Sequence, residues 1–183
     1  TKMISAKEAA TIVNAHLGDF GVEKIHISKC INRVLAEEIC ADRDFPPFDR
    51  VMMDGIAINS TAWNEGKRQF TIEGTQYAGD PVKQLHNPSN CIEVMTGAML
   101  PINTDSVIRY EDFTIEDGIA KVALELIKEG QNVHTKGKDK KAGEKIIEKG
   151  MMLSPAEIAI LASVGKEEVV VARMPRVAVI STG

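Results

Sequence analysis

Three glycine-bearing segments hold the side chains whose types and spacing can do chemistry. The first is Phe45-Pro46-Pro47-Phe48-Asp49-Arg50-Val51-Met52-Met53-Asp54-Gly55. Its two prolines fix two φ angles and bias the preceding residue to extended geometry, so the segment behaves as a stiff strap. The strap delivers Asp49, Arg50 and Asp54 into a turn, where a carboxylate can position a water or metal-bound nucleophile. A plain Pro-Pro linker ending in an Asp-Gly turn explains the same residues. The second segment is Val94-Met95-Thr96-Gly97-Ala98-Met99-Leu100-Pro101, leading to Asn103-Thr104-Asp105. It sets the Thr96 hydroxyl beside a glycine that lets backbone approach a ligand closely, though a turn between strands is equally economical. The third concentrates Lys136, Lys138, Lys140, Lys141 and Lys145 around two glycines. Such a cluster attracts phosphate or another anion, or is simply a solvated face. None of the three is a P-loop, a nucleophile elbow or a paired-carboxylate hydrolase motif. Read this way, the residues offer three candidate loops and no reaction.

Composition removes whole classes of function. With 22 basic and 26 acidic residues the net charge is −4, so no global positive field advertises a nucleic-acid partner. Aromatic residues make up only 4%, too few for the stacking platforms of a single-strand binder. No run approaches the roughly 18 consecutive apolar residues of a membrane span. The start, Thr1-Lys2-Met3-Ile4-Ser5, lacks the pattern of a secretory signal, so a cytoplasmic protein with no membrane partner is expected. Cys30, Cys40 and Cys91 are scattered, without a C-x-x-C pair, and read as buried reduced thiols. His16, His26, His86 and His134 stand far apart, with no second His or Cys at metal-ligand spacing.

The elements that must position the three loops are well punctuated at both ends of the chain. Ser5-Ala6-Lys7-Glu8 is a capping box, after which Ala9, Ile12, Val13 and Leu17 recur near helical period and Gly18 follows as a stop. Residues 23–28 alternate polar and apolar and predict a strand with one wet face; residues 31–39 predict a short helical or mixed segment. A domain crossing is expected at the proline strap, followed by short strands and turns of a small barrel or sandwich. Within it, Phe113-Thr114-Ile115-Glu116, Asp117-Gly118 and Ile119-Ala120-Lys121-Val122 spell a hairpin with a type I′ turn. Ser154-Pro155-Ala156-Glu157 starts a second helix, running through Ile158, Leu161 and Ala162 to Gly165. Residues 168–172 predict a strand. Val177-Ala178-Val179-Ile180 is apolar on both faces, as in a parallel strand covered by helices, and opens into Ser181-Thr182-Gly183. No helix follows to cover that strand, so a longer parent protein is expected; an edge strand on the preceding sheet is the alternative.

Together these segments resemble the molybdopterin molybdenumtransferases, the bacterial MoeA proteins, whose eukaryotic counterparts include a domain of gephyrin. The resemblance rests on Pro46-Pro47-Phe48-Asp49-Arg50 with Met53-Asp54-Gly55, on Met95-Thr96-Gly97-Ala98 with Leu100-Pro101, and on Gly137-x-Asp139 with Gly143-Glu144. It rests also on Leu153-Ser154-Pro155-Ala156-Glu157-Ile158, Leu161-Ala162-Ser163-Val164-Gly165, and the run from Pro175 to Gly183. Any one of these is weak; six in the right order are specific. Departures are Val51-Met52 for a usual Ser-Ala, Ile56 for an aromatic, Lys138 for Glu, and His134-Thr135-Lys136 for an arginine-rich run.

The resemblance implies an α+β fold. An elongated dimerising domain would combine about 1–45 with 141–174, a β-rich, barrel-like domain would be inserted at about 46–140, and 175–183 would be the first strand of a truncated α/β domain. It implies insertion of molybdenum from molybdate into adenylated molybdopterin, with release of AMP and with Mg2+. The implied partners are a second copy in a homodimer and a molybdopterin adenylyltransferase that supplies the substrate. By the same resemblance, Asp54 and Thr96 are catalytic, while Asp139, Ser181, Thr182 and Gly183 touch substrate; metal ligands are unassigned. Residues 1–183 alone are expected to be inactive. A non-catalytic dimeric scaffold of the gephyrin type is the rival reading, and a nucleic-acid-binding barrel a third, disfavoured by charge.

Overall fold

The computed structural model describes residues 4–16, 18–179 and 181. The chain order begins with α1 (Ala6–Ala15), β1 (Val22–His26), β2 (Ile39–Cys40), β3 (Arg50–Val51), β4 (Gly55–Ile58) and α2 (Ser60–Asn64). It continues with β5 (Gln69–Gln76), β6 (Cys91–Val94), β7 (Ser106–Arg109), β8 (Phe113–Glu116) and β9 (Ile119–Val122). The last elements are β10 (Val133–His134), β11 (Lys145–Ile147), α3 (Pro155–Ser163) and β12 (Glu168–Ala172). Two compact units result: Ala41–Glu144 forms one, and the flanking segments up to Cys40 and from Lys145 onward form the other. No helix among the described residues is long and apolar enough to cross a membrane.

In the unit of the flanking segments, both predicted capping boxes are present. The Ser5 hydroxyl accepts from Glu8 N while the Glu8 carboxylate accepts from Ser5 N, and Ser154 with Glu157 repeats the arrangement at α3. Pro155 sits in the first turn of α3, where its missing N–H costs nothing. β1 pairs antiparallel with β12, from Val22 opposite Ala172 to His26 opposite Glu168. Val169 and Val171 of β12 are buried together with Cys30, Leu35, Ile39, Ile147, Leu153 and Leu161.

Several expectations need correction here. The strand expected over 23–28 stops at His26, and Ile27–Lys29 turns as a 3₁₀ helix. Of the helical and mixed alternatives for residues 31–39 the mixed one forms: a turn, then Val34 and Leu35 bridging to Met152 and Val171, then Ile39 entering β2. Cys40 is exposed, because Ile39 points inward on β2 and its neighbour on a period-2 strand must point out. Residues 176–179 form no strand: they pair with no strand among the described residues, and Val177 and Val179 are largely exposed. An apolar run has strand propensity, but only a hydrogen-bonded neighbour makes it a strand. Leu17, Ile180, Thr182 and Gly183 lie outside the described residues.

The other unit is built on one six-stranded sheet in the order β7-β4-β6-β5-β9-β8. All its pairings are antiparallel except β5–β6. β7 and β8 end the strand order, and the outer side of β7 is covered by residues 131 and 132, with Val107 N donating to Gln131 O and Asn132 Nδ2 to Val107 O, both at 2.9 Å. The hairpin β8–β9 closes on Asp117-Gly118, both at positive φ, as a type I′ turn demands. β4 is buried on both faces because two apolar clusters flank it. Ile56 and Ile58 join Trp63, Phe70, Ile108 and Phe113 on one side. Ala57 joins Val51, Ile92, Val94, Val107 and Val133 on the other. Full burial of each large side chain contributes about 1.5–3 kcal/mol, which makes this double-sided core the rigid base of the loops at its rim.

Candidate functional site

Asp54 and Thr96 are 42 residues apart, yet they meet. Asp54 leaves the strap immediately before β4, and Thr96 follows β6, which pairs with β4 in the register Gly55 opposite Val94. Residues 95–98 close as a tight turn in which Ala98 N donates to Met95 O at 3.0 Å. Gly97, the third residue, has φ +86°, the value a type II turn requires and an L side chain resists. The turn is tied to β3, since Gly97 N donates to Val51 O at 2.9 Å and Val51 N to Ala98 O at 2.9 Å.

This geometry aims both Thr96 donors at one carboxylate oxygen. Thr96 N donates to Asp54 Oδ1 at 2.6 Å, and the Thr96 hydroxyl donates to the same oxygen at 2.7 Å. The backbone N–H first, and the hydroxyl second, hold the Asp54 carboxyl below its ordinary value. Asp54 is therefore ionised at neutral pH and a weak base. Among the described residues nothing donates to its Oδ2, which is left to accept from water or a ligand. Such a group orients a ligand or a water better than it abstracts a proton.

Two clefts meet at Thr96. One, of about 290 Å³, is lined by Met53, Asp54, Thr96, Arg109, Tyr110 and Glu111. The other, of about 260 Å³, is lined by Arg50, Val51, Met52, Thr96 and Gly97. Both are at the small end of ligand pockets. Arg109 is engaged by Asp112, with Nε to Oδ2 at 3.0 Å and Nη2 to Oδ1 at 3.2 Å.

The three loops singled out in the sequence converge on β3. The strap and the lysine loop are laced together: Phe45 N donates to Lys140 O, Gly137 N to Pro46 O, and Lys136 N to Asp49 Oδ1. β10 pairs with β3, placing His134 opposite Arg50, while Arg50 bridges to Met99 on its other side. Asp139 lies 2.8 Å from His134 Nε2, and no hydrogen bond among the described residues joins it to Asp54 or Thr96. Asp105 is structural: its carboxylate accepts from Ser60 N and from the hydroxyls of Ser60 and Ser106. Lys136, Lys140 and Lys145 each face a carboxylate, on Asp44, Glu144 and Glu38, so much of the loop's charge is neutralised. Ser181 is exposed, without secondary structure, and belongs to the unit of the flanking segments; Thr182 and Gly183 are outside the described residues.

Two residues escaped the sequence reading. Glu93 sits in the apolar run Cys91-Ile92-Glu93-Val94, and Tyr110 follows β7 directly; the Tyr110 hydroxyl donates to Glu93 Oε1 at 2.5 Å. A lone carboxylate in an otherwise buried strand was the available signal. No group of three His, Cys, Asp or Glu among the described residues could hold a metal ion. Mg2+ is ordinarily held by one or two carboxylates together with waters and substrate oxygens, and Asp54 is the carboxylate this pair would offer it.

A family model described as the MoeA N-terminal region, domains I and II, matches residues 4–165. The molybdopterin molybdenumtransferase of Synechocystis sp. is 43% identical over 182 residues, covering 99% of this chain and 47% of that protein. The Haemophilus influenzae protein of the same name is 35% identical over 161 residues, covering 88% and 40%. A solved structure, the molybdopterin biosynthesis MoeA protein of Pyrococcus horikoshii, superimposes with TM-score 0.84 at 30% identity, covering 93% of this chain and 46% of that one. The chain spans rather less than half the length of these relatives.

Proposed function

The chain belongs to the family of the MoeA N-terminal region, and from that premise we propose that it carries the Asp54–Thr96 part of a molybdenum-inserting site. The parent protein, in this reading, acts in molybdenum cofactor biosynthesis. It takes molybdate, and adenylated molybdopterin supplied by a molybdopterin adenylyltransferase, and releases AMP. The observation that carries it is the convergence of two separated motifs on one carboxylate oxygen beside a cleft, in a chain whose relatives bear that activity in their names.

The residues divide the work as their chemistry allows. Thr96 holds Asp54 through Oδ1 and keeps it charged; Oδ2 accepts a hydrogen bond from a water or a protonated oxygen of the substrate. Arg50 supplies positive charge on the far side of Thr96, suited to an oxyanion. Asp139, carried with His134 on the neighbouring loop, is assigned to substrate contact, as are Ser181, Thr182 and Gly183. In this reading α1 is the surface for a homodimer, supported by its having no buried residue and by its exposed Ile12 and Val13.

The test is AMP release and cofactor formation by the whole protein. Asp54→Asn is expected to abolish most turnover while the protein stays folded, and wild-type turnover in that variant removes Asp54 from the site. Residues 1–183 alone are expected to form no cofactor; turnover by them would place the complete site within this chain.

A further inference from the structure

Asp54 has a second neighbour whose side chain the site chemistry does not use. Antiparallel pairing of β4 with β7 sets Gly55 opposite Arg109, and one step further Tyr110 N donates to Asp54 O at 3.2 Å. Alternation along both strands puts the side chains of Asp54, Ile56, Ile108 and Tyr110 on one face. Glu93 of β6 shares that face, since it stands opposite Ile56. The Tyr110 phenol therefore reaches across β4 to Glu93 Oε1, at 2.5 Å. The other carboxylate oxygen accepts from the Thr75 hydroxyl at 2.7 Å, on β5. Both oxygens of a half-buried carboxylate are thus occupied by hydroxyl donors, and no cation among the described residues pairs with it. The Tyr110 ring rests against Phe113, with centroids 5.3 Å apart, and lines the Asp54 cleft.

We propose that Tyr110, held by Glu93, is a positioning residue for the Asp54–Thr96 pair, an inference that rests on reading that pair as part of the reacting site. The clamp spans β5, β6, β4 and the end of β7, and its cross-piece lies over the backbone that carries Asp54. A hydroxyl pinned at one end and a main-chain bond at the other fix the separation of Asp54 from Thr96. Removing the hydroxyl leaves the ring packed on Phe113 but frees the β7 end to shift.

The experiment compares Tyr110→Phe, Glu93→Leu and Glu93→Gln in the whole protein. The first readout is hydrogen exchange at the Thr96 amide, which reports its bond to Asp54 independently of turnover. Protection is expected to fall roughly tenfold in Tyr110→Phe and Glu93→Leu, the effect of one lost hydrogen bond, with the Ile72 and Val122 amides unchanged. Glu93→Gln keeps an oxygen for the phenol and should retain protection. The second readout is kinetic: kcat falls with KM held, and the double variant Tyr110→Phe/Glu93→Leu is no worse than either single one. Unchanged Thr96 protection in both disruptive variants overturns the proposal, as does an equal loss at Ile72 and Val122. Lost Thr96 protection with wild-type turnover upholds the clamp and counts instead against the catalytic reading of the pair.

Discussion

Gly55 and Ile108 approach so closely that a methyl group on Gly55 would stand 1.8 Å from the Ile108 carbonyl oxygen. The obstacle is backbone on a paired strand, and it cannot swing away as a side chain would. Gly55 directly follows Asp54, so the missing side chain is what lets β7 lie against the start of β4 and bring Tyr110 over the site. Gly55→Ala is expected to cost about 1–3 kcal/mol or more, as overpacking in a closed core does, read as a lower urea midpoint. Loss of the Thr96 amide protection should accompany it. A midpoint equal to the parent would show that the two strands can part at no cost.

What the sequence could announce was local. Ser5 with Glu8, Ser154 with Glu157, and Asp117-Gly118 each specify their geometry within four residues, and each forms as read. Asp54 and Thr96 could be singled out, but the bond between them depends on β4 meeting β6, a contact no short window contains. Glu93 is the sharper case. Its chain neighbours are apolar, and only the register with Ile56 reveals that it shares a face with Tyr110. Residues 176–179 illustrate the converse: pattern states a propensity, and no partner strand for them lies among the described residues.

The Asp54 carboxyl is held below its ordinary value of 3.8 by the Thr96 N–H and hydroxyl. A depressed folded value means that the stabilisation is complete above the unfolded value and is lost as pH falls through the folded one. Wild type is therefore expected to exceed Asp54→Asn in stability at pH 6, and the gap should close as pH drops below 3.8. Denaturant melts at several pH values measure this. A gap that is constant with pH would show that the Thr96 bonds do not depend on the charge.

The dimer assigned to α1 makes a claim about Ile12 and Val13, which are 50% and 61% exposed. Neither contributes to the core of its own unit, so Ile12→Glu and Val13→Glu should leave folding intact. Each is expected to weaken self-association at least tenfold, about 1.4 kcal/mol. Light scattering on a dilution series reads this directly. An unchanged dissociation constant with both charges in place would move the interface off α1.

The two capping boxes separate local from global stability, because the helices they start differ in what they bury. α1 buries nothing, whereas α3 buries Leu161. Ser5→Ala should fray its helix without moving the unfolding midpoint. Ser154→Ala, which removes the acceptor for Ala156 N at 3.2 Å, should lower stability by about 1 kcal/mol. The Ser154 hydroxyl and backbone N–H also hold the Glu157 carboxyl below its ordinary 4.5. By the same sign, this part of the cap is complete above pH 4.5 and fails as pH falls through the lowered folded value. The cost of Ser154→Ala is thus largest near neutrality and shrinks in acid. Equal effects of the two serine variants on the midpoint would mean that α1 is packed as firmly as α3, and the dimer surface assigned to it would then have to be sought elsewhere.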